Sequence, residues 1–201
     1  MPPVLGPAPL AGLYGKLPAR GDFVCQRLPR AFTEPWDDWI AAALDASREA
    51  LGAAWLPAWL EAPVWRFALA GGVCGPRKAL GLMLPSVDRA GRYFPLAFAA
   101  LFPPAAPDGA ADERPDGDAP WLGRCEAAGR AALDQDADPD AILALMGPPP
   151  ALAPHLRTGS RWWTEGGPLV PPGRLACPAM PDTATFIGMI AGPGARDARA
   201  P

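Results

Sequence analysis

Lysine and histidine are almost missing from this chain: Lys16 and Lys78 stand against sixteen Arg, and His155 is the single histidine. With no acid at ligand spacing around it, His155 carries neither a zinc site nor the base of a nucleophile–base pair, and it reads as a surface loop residue. The four cysteines (25, 74, 125 and 177) lie about fifty residues apart, with no CxxC pair and no dense framework, so reduced, mostly buried thiols are expected. A basic excess is lacking too. The formal net charge of -3 offers no field for a phosphate backbone, which argues against nucleic-acid binding. Apolar runs such as Tyr93 to Phe102 fall short of the roughly 18 to 20 residues of a bilayer span, so direct membrane insertion is not expected. The first base is Lys16 and the segment before it is rich in Pro, which does not fit a secretory signal and predicts a cytoplasmic address.

Catalytic signatures are equally scarce. Ser86 and Asp88 share a turn, but no Gly-x-Ser-x-Gly surrounds them. Gly71-Gly-Val-Cys-Gly75 lacks the Lys and Ser/Thr of a phosphate-binding loop and reads as a tight turn. Arg20-Gly21-Asp22 spells a cell-adhesion tripeptide, which three residues match by chance. No cofactor and no metal is expected.

What is present is a foldable core: 50% hydrophobic residues and eight Trp, enough to offset the chain entropy of 29 Pro and 22 Gly. One domain over 12–191 is expected, with flexible segments at 1–11 and 192–201. An acidic loop is expected at 103–119, where Asp108, Asp112, Glu113, Asp116 and Asp118 face a single Arg114. Thr33 to Leu51 is the clearest helix. Trp36, Trp39, Ile40, Ala43, Leu44, Ser47 and Leu51 recur on one face, Thr33 can cap, Pro35 fits the first turn and Gly52 can stop it. Further helices are predicted from Trp121 to Leu133 and from Asp138-Pro139 to Gly147. Strands are predicted near 12–24 (broken by Pro18 and Gly21), 64–70, 79–84 and 92–102, the last two as an antiparallel hairpin around Pro85 to Gly91. Arg161 to Thr164 and Thr185 to Ile190 read as short strands. Trp162-Trp163 is either an exposed protein-binding anchor or, by the usual burial of aromatics, core.

Among charged residues, Asp22 and Asp88 sit in Gly-containing turns, and Arg66 lies between two aromatics. A charge in such surroundings is costly unless paired, so Arg66 either bonds one of those carboxylates or faces solvent from a sheet. The expected bond has Asp22 or Asp88 accepting from Arg66 or Arg92 and tying two turns together.

As a set, Gly15-Lys-Leu-Pro-Ala-Arg-Gly-Asp-Phe-Val24, Leu28-Pro29 with Phe32, Trp36-Asp37, Ser47-Arg48, Pro63-Val-Trp-Arg-Phe67, Gly72-Val-Cys-Gly75, Pro85-Ser-Val-Asp-Arg89 and Gly91-Arg-Tyr-Phe-Pro95 closely resemble the TagF family, also called ImpM, of bacterial type VI secretion systems. The resemblance runs in order over residues 12 to 102 and thins to the Trp162-Trp163 element and a final strand near Phe186. It implies a three-layer α/β/α (α+β) sandwich around a mainly antiparallel sheet. It also implies a non-enzymatic cytoplasmic accessory protein that represses secretion post-translationally through the system's forkhead-associated scaffold protein. No family site residues carry over. Arg20, Asp22, Asp88, Arg89 and Arg92 are protein-interaction candidates by their chemistry alone, Arg for its planar donor fork. The competing expectation is a small-ligand or hydrolytic module built on Asp22, Asp88, Arg89 and Arg92. The sequence sets no oligomeric state.

Overall fold

The computed structural model describes residues 8–104, 119–134 and 138–197. Most of the expected acidic loop therefore lies outside the described residues. Seven strands, β1 (Leu10–Gly15), β2 (Val24–Gln26), β3 (Trp65–Leu69), β4 (Lys78–Leu84), β5 (Leu96–Phe102), β6 (Ser160–Thr164) and β7 (Gly173–Cys177), form one sheet in the order β2-β1-β5-β4-β3-β6-β7. Every pairing is antiparallel. The helices are α1 (Arg30–Leu51), α2 (Trp55–Leu60), α3 (Ala119–Asp134), α4 (Pro139–Met146) and α5 (Thr183–Ala191). The class is mixed α/β, as expected. Among the described residues no helix is long and apolar enough to cross a membrane.

Alternation along β5 shows how the layers arise. Leu96, Phe98, Ala100 and Phe102 join one core cluster with Trp121, Leu122 and Cys125 of α3 and Ile142 and Met146 of α4. Ala97, Ala99 and Leu101 join the other, with Trp36, Ile40 and Leu44 of α1, Trp55 and Trp59 of α2 and Phe186 of α5. A strand buried on both faces must be apolar at every position, which is why β5 reads as an unbroken run rather than as alternation. Helices against both faces are consistent with the three-layer arrangement.

On the α1 face small sheet residues make room for large aromatics. Trp36 is fully buried, with its ring centroid 5.0 Å from Phe67 and 5.7 Å from Phe32. Gly81 on β4 lies under Phe67: a Cβ there would come within 2.5 Å of the Phe67 ring and 2.1 Å of the Phe98 carbonyl oxygen. Ser47, a fully buried hydroxyl on the apolar stripe of α1, is reconciled with burial by two bonds. It donates to Leu44 O and accepts from Trp55 Nε1, each at 2.8 Å.

Several expectations need correction. The first helix starts at Arg30, with Pro29 at its N-cap, so Thr33 is not a cap but a buried residue inside the helix. The 12–24 segment is two strands, β1 and β2, paired with each other across the turn that contains Pro18 and Gly21. β1 begins at Leu10, inside the segment expected to be flexible, and residues 193–197 form a 3-10 turn. The last hairpin strand starts at Leu96, because the preceding residues build the turn described below. Thr185 to Ile190, expected as a strand, belongs to α5, where Asp182 caps the helix by accepting from Thr185 N at 2.8 Å. A short apolar run does not distinguish strand from helix by its period, and the cap decided it here. Cys74 and Cys125 are buried as expected, whereas Cys25 is exposed on β2. Both Trp162 and Trp163 are buried, on opposite faces of β6.

Candidate functional site

The β4–β5 connection and the β1–β2 connection meet at the same end of the sheet, and Asp88 joins them. Val87 and Tyr93 bridge across the connection, Asp88 N donates to Arg92 O at 3.1 Å and Gly91 N donates to Asp88 O at 2.9 Å. Gly91 takes φ +80°, a left-handed conformation that side-chain-bearing residues rarely adopt. Asp88 Oδ1 accepts from Ala90 N and Arg92 N, both at 2.9 Å. Its Oδ2 accepts from Arg92 Nε at 2.7 Å and Lys16 Nζ at 2.9 Å.

This aspartate is almost fully buried, as is Lys16. Burial by itself pushes the Asp88 carboxyl up. The bonds from Lys16 and from the backbone and side chain of Arg92 outweigh it and hold the carboxyl well below the usual carboxylate range. With both oxygens engaged, the carboxylate is a structural tie. The β1–β2 turn is fastened from its own side as well. Arg89 N donates to Arg20 O at 3.0 Å, Ser86 Oγ donates to Lys16 O at 2.7 Å, and Arg92 Nη2 donates to Gly21 O.

The expected bond between a turn aspartate and an arginine is therefore made by Asp88 and Arg92. Arg66 is not part of it. From β3 it reaches Glu126 of α3 at 2.6 Å and Glu165 at 3.3 Å. Strand alternation turns Arg66 to the α3 side, away from the Asp88 turn, and a helix carboxylate compensates it there. Asp22 lies exposed on the turn.

Arg20, Arg89 and Arg92 are exposed and belong to contacting segments, so these three candidates share one surface. Sequence reasoning missed two residues of this region, one beneath the surface and one on it. Lys16, one of only two lysines, supplies the buried cation. Phe23 is 45% exposed, stands 4.7 Å edge-on to Phe94 and 5.6 Å from Tyr14, and has Lys16 Nζ 5.0 Å from its ring centroid. An aromatic held rigidly by other rings beside exposed arginines is the composition favoured at protein interfaces. The rarity of Lys and the Gly-Asp-Phe sequence at the turn were the signals available for them. Beneath this surface Tyr14 donates to Asp37 Oδ1 at 2.7 Å, anchoring β1 to α1. Burial, followed by that bond, raises the Tyr14 hydroxyl far above the ordinary tyrosine value.

Among the described residues no group of three or more His, Cys, Asp or Glu side chains could hold a metal ion. Cavities of about 780, 500 and 320 Å³ open along β6 and β7, and none is lined by the five candidates.

Comparison with known proteins places this architecture. The crystal structure of PA0076 from Pseudomonas aeruginosa PAO1 superposes with a TM-score of 0.82 at 34% sequence identity, over 90% of this chain and 94% of that one. No curated protein matches the chain. Residues 12–147 match the model of the TagF N-terminal domain, described as type VI secretion system-associated. That span contains the whole Lys16–Asp88–Arg92 tie and its surface, and the chain belongs to the TagF family.

Proposed function

We propose that this chain is a non-enzymatic cytoplasmic regulator that represses a type VI secretion system post-translationally by binding the system's forkhead-associated scaffold protein. Membership of a type VI secretion-associated family is the observation that carries the reading. The exposed Arg20, Arg89 and Phe23, carried on the two joined turns, supply a surface suited to a protein partner. The small-ligand alternative draws no support from Asp88, whose carboxylate is buried and engaged by two cations and two amides.

The test is affinity capture of the forkhead-associated protein from native cytoplasm with the wild-type chain and with an Arg20→Glu/Arg89→Glu variant. Arg92 stays in place because it also anchors the turn. Capture by the wild type, its loss in the variant and an unchanged Tm are the expected results. Retained capture and retained repression in the variant overturn the surface. Absence of any secretion phenotype on deletion or overexpression overturns the function.

A further inference from the structure

The opposite end of the sheet, about 29 Å from β2 across six strand spacings, carries a second surface. Among the described residues β7 is an edge strand, paired with β6 alone. In an antiparallel edge strand, alternate residues turn their backbone N–H and C=O groups away from the partner, a template for a further strand. Residues 173–177 contain no proline to blunt that edge, while Pro172 and Pro178 mark its limits.

Register determines which side chains accompany the template. Arg66, Trp163 and Arg174 stand opposite one another across β3, β6 and β7, and Ala68, Arg161 and Ala176 form the next row. Opposed residues share a face, and Trp163 belongs to the core on the α3 side, so Arg66, Arg161 and Arg174 all lie on that side. The three cavities follow these rows. The 780 Å³ cavity lies against Arg66, Glu165 and Arg174; the 320 Å³ cavity shares Trp163 and Arg174 with it; the 500 Å³ cavity shares Arg161 and Ala176 with the 320 Å³ one and reaches His155 and Arg157. Together they make one trough along β6 and β7, about 17 Å for five strand residues. Among the described residues its lining includes four arginines (Arg66, Arg157, Arg161 and Arg174) and the carboxylate of Glu165, and Arg66 is already held by Glu126 and Glu165. Arg157, Arg161 and Arg174 are exposed. In a chain of net charge -3 this is a local concentration of the opposite sign.

We propose that this edge binds an acidic polypeptide segment in extended conformation, added to β7 as an eighth strand with its acidic side chains on the Arg161 and Arg174 side. Two complementarities meet here, the arginines for carboxylates and the open backbone ladder for another backbone. A nucleic acid would satisfy the first and leave the second unused, and the acidic whole chain repels it. Side chains on one face of a strand recur every second residue, so the fitting sequence alternates acid with a small or β-branched residue. The proposal concerns a different surface from the Arg20 and Arg89 face and does not rest on the forkhead-associated reading.

The experiment uses the full chain and a fluorescein-labelled peptide of about eight residues alternating Glu and Thr, read by fluorescence anisotropy, with amide chemical shifts of the protein followed by NMR. Parallel probes are the peptide with Lys for Glu, the Glu–Thr peptide N-methylated at every second residue, and an oligothymidylate of the same length. The expected result is saturable binding of the Glu peptide alone, with shifts centred on 173–177. An Arg161→Glu/Arg174→Glu variant of unchanged Tm should weaken it about tenfold or more, the size of a lost charge-assisted contact. N-methylation, which leaves the protein untouched, should weaken it by a similar factor. Absence of binding, equal binding of the N-methylated peptide, indifference to the charge reversal, or tighter binding of the oligothymidylate each overturns the proposal.

Discussion

Asp88→Asn tests the tie between the two turns. The amide can still accept at Oδ1 from Ala90 N and Arg92 N, but a donor replaces the oxygen that faces Lys16 Nζ and Arg92 Nε. Arg92 is 60% exposed and recovers water, so little of the loss comes from it. Lys16 does not: its side chain is only 6% exposed and is left as an uncompensated buried cation. Breaking a buried pair in this way, scaled to a chain of this length, lowers Tm by roughly 6 to 20 °C. Removing the cation as well takes away the orphaned charge while the amide keeps its two backbone bonds, so Lys16→Met/Asp88→Asn should melt above Asp88→Asn. The pH dependence has a defined sign. The folded carboxyl titrates below the unfolded one, so the contribution is complete above the unfolded value of about 3.9 and is lost as pH falls through the folded value. The gap between wild type and Asp88→Asn, measured by circular dichroism melts, should be constant from about pH 5 to 8 and narrow in more acidic buffer. A variant melting within about 2 °C of wild type at neutral pH, or a gap that widens on acidification, would refute the reasoning.

Trp36→Ala removes the ring packed between Phe32 and Phe67 and should cost about 3 to 5 kcal/mol in urea denaturation; a loss under about 1 kcal/mol would place the core of the α1 face elsewhere. Gly81→Val drives a side chain into the Phe98 carbonyl and the Phe67 ring and should destabilise by about 1 to 3 kcal/mol or more by the same assay, whereas a neutral result would mean that β4 and β3 shift freely. In the native state a maleimide should label exposed Cys25 well before Cys74 and Cys125. Burial pushes the Cys74 thiol up to about 12, and mass spectrometry after timed quenching reads the order; early modification of Cys74 would contradict its burial.

Local chemistry was legible wherever one segment carries the whole signal. The apolar stripe of α1, the Asp138-Pro139 start of α4 and the apolar run of β5 each declare their element without reference to the rest of the chain. The Asp88–Arg92 bond belongs here too, since four residues around a glycine turn are enough to make it. The sequence does not state which distant segment supplies the remaining partner. Lys16 reaches Asp88 because β1 pairs with β5 and leaves its following turn beside the β4–β5 connection, and Arg66 finds Glu126 because α3 returns to the face that β3 alternation assigns to it. β7 gave no legible sign, since its Gly-Arg-Leu-Ala-Cys is short, mostly exposed and offers a single long apolar side chain, Leu175. Its position as an edge, and with it the arginine-lined trough, exists only once β6 pairs with β3. Sequence fixes what each short stretch prefers over a few residues of spacing. Pairings between segments tens of residues apart are set by the simultaneous burial of both sheet faces, a condition on the whole chain that the tertiary structure alone meets.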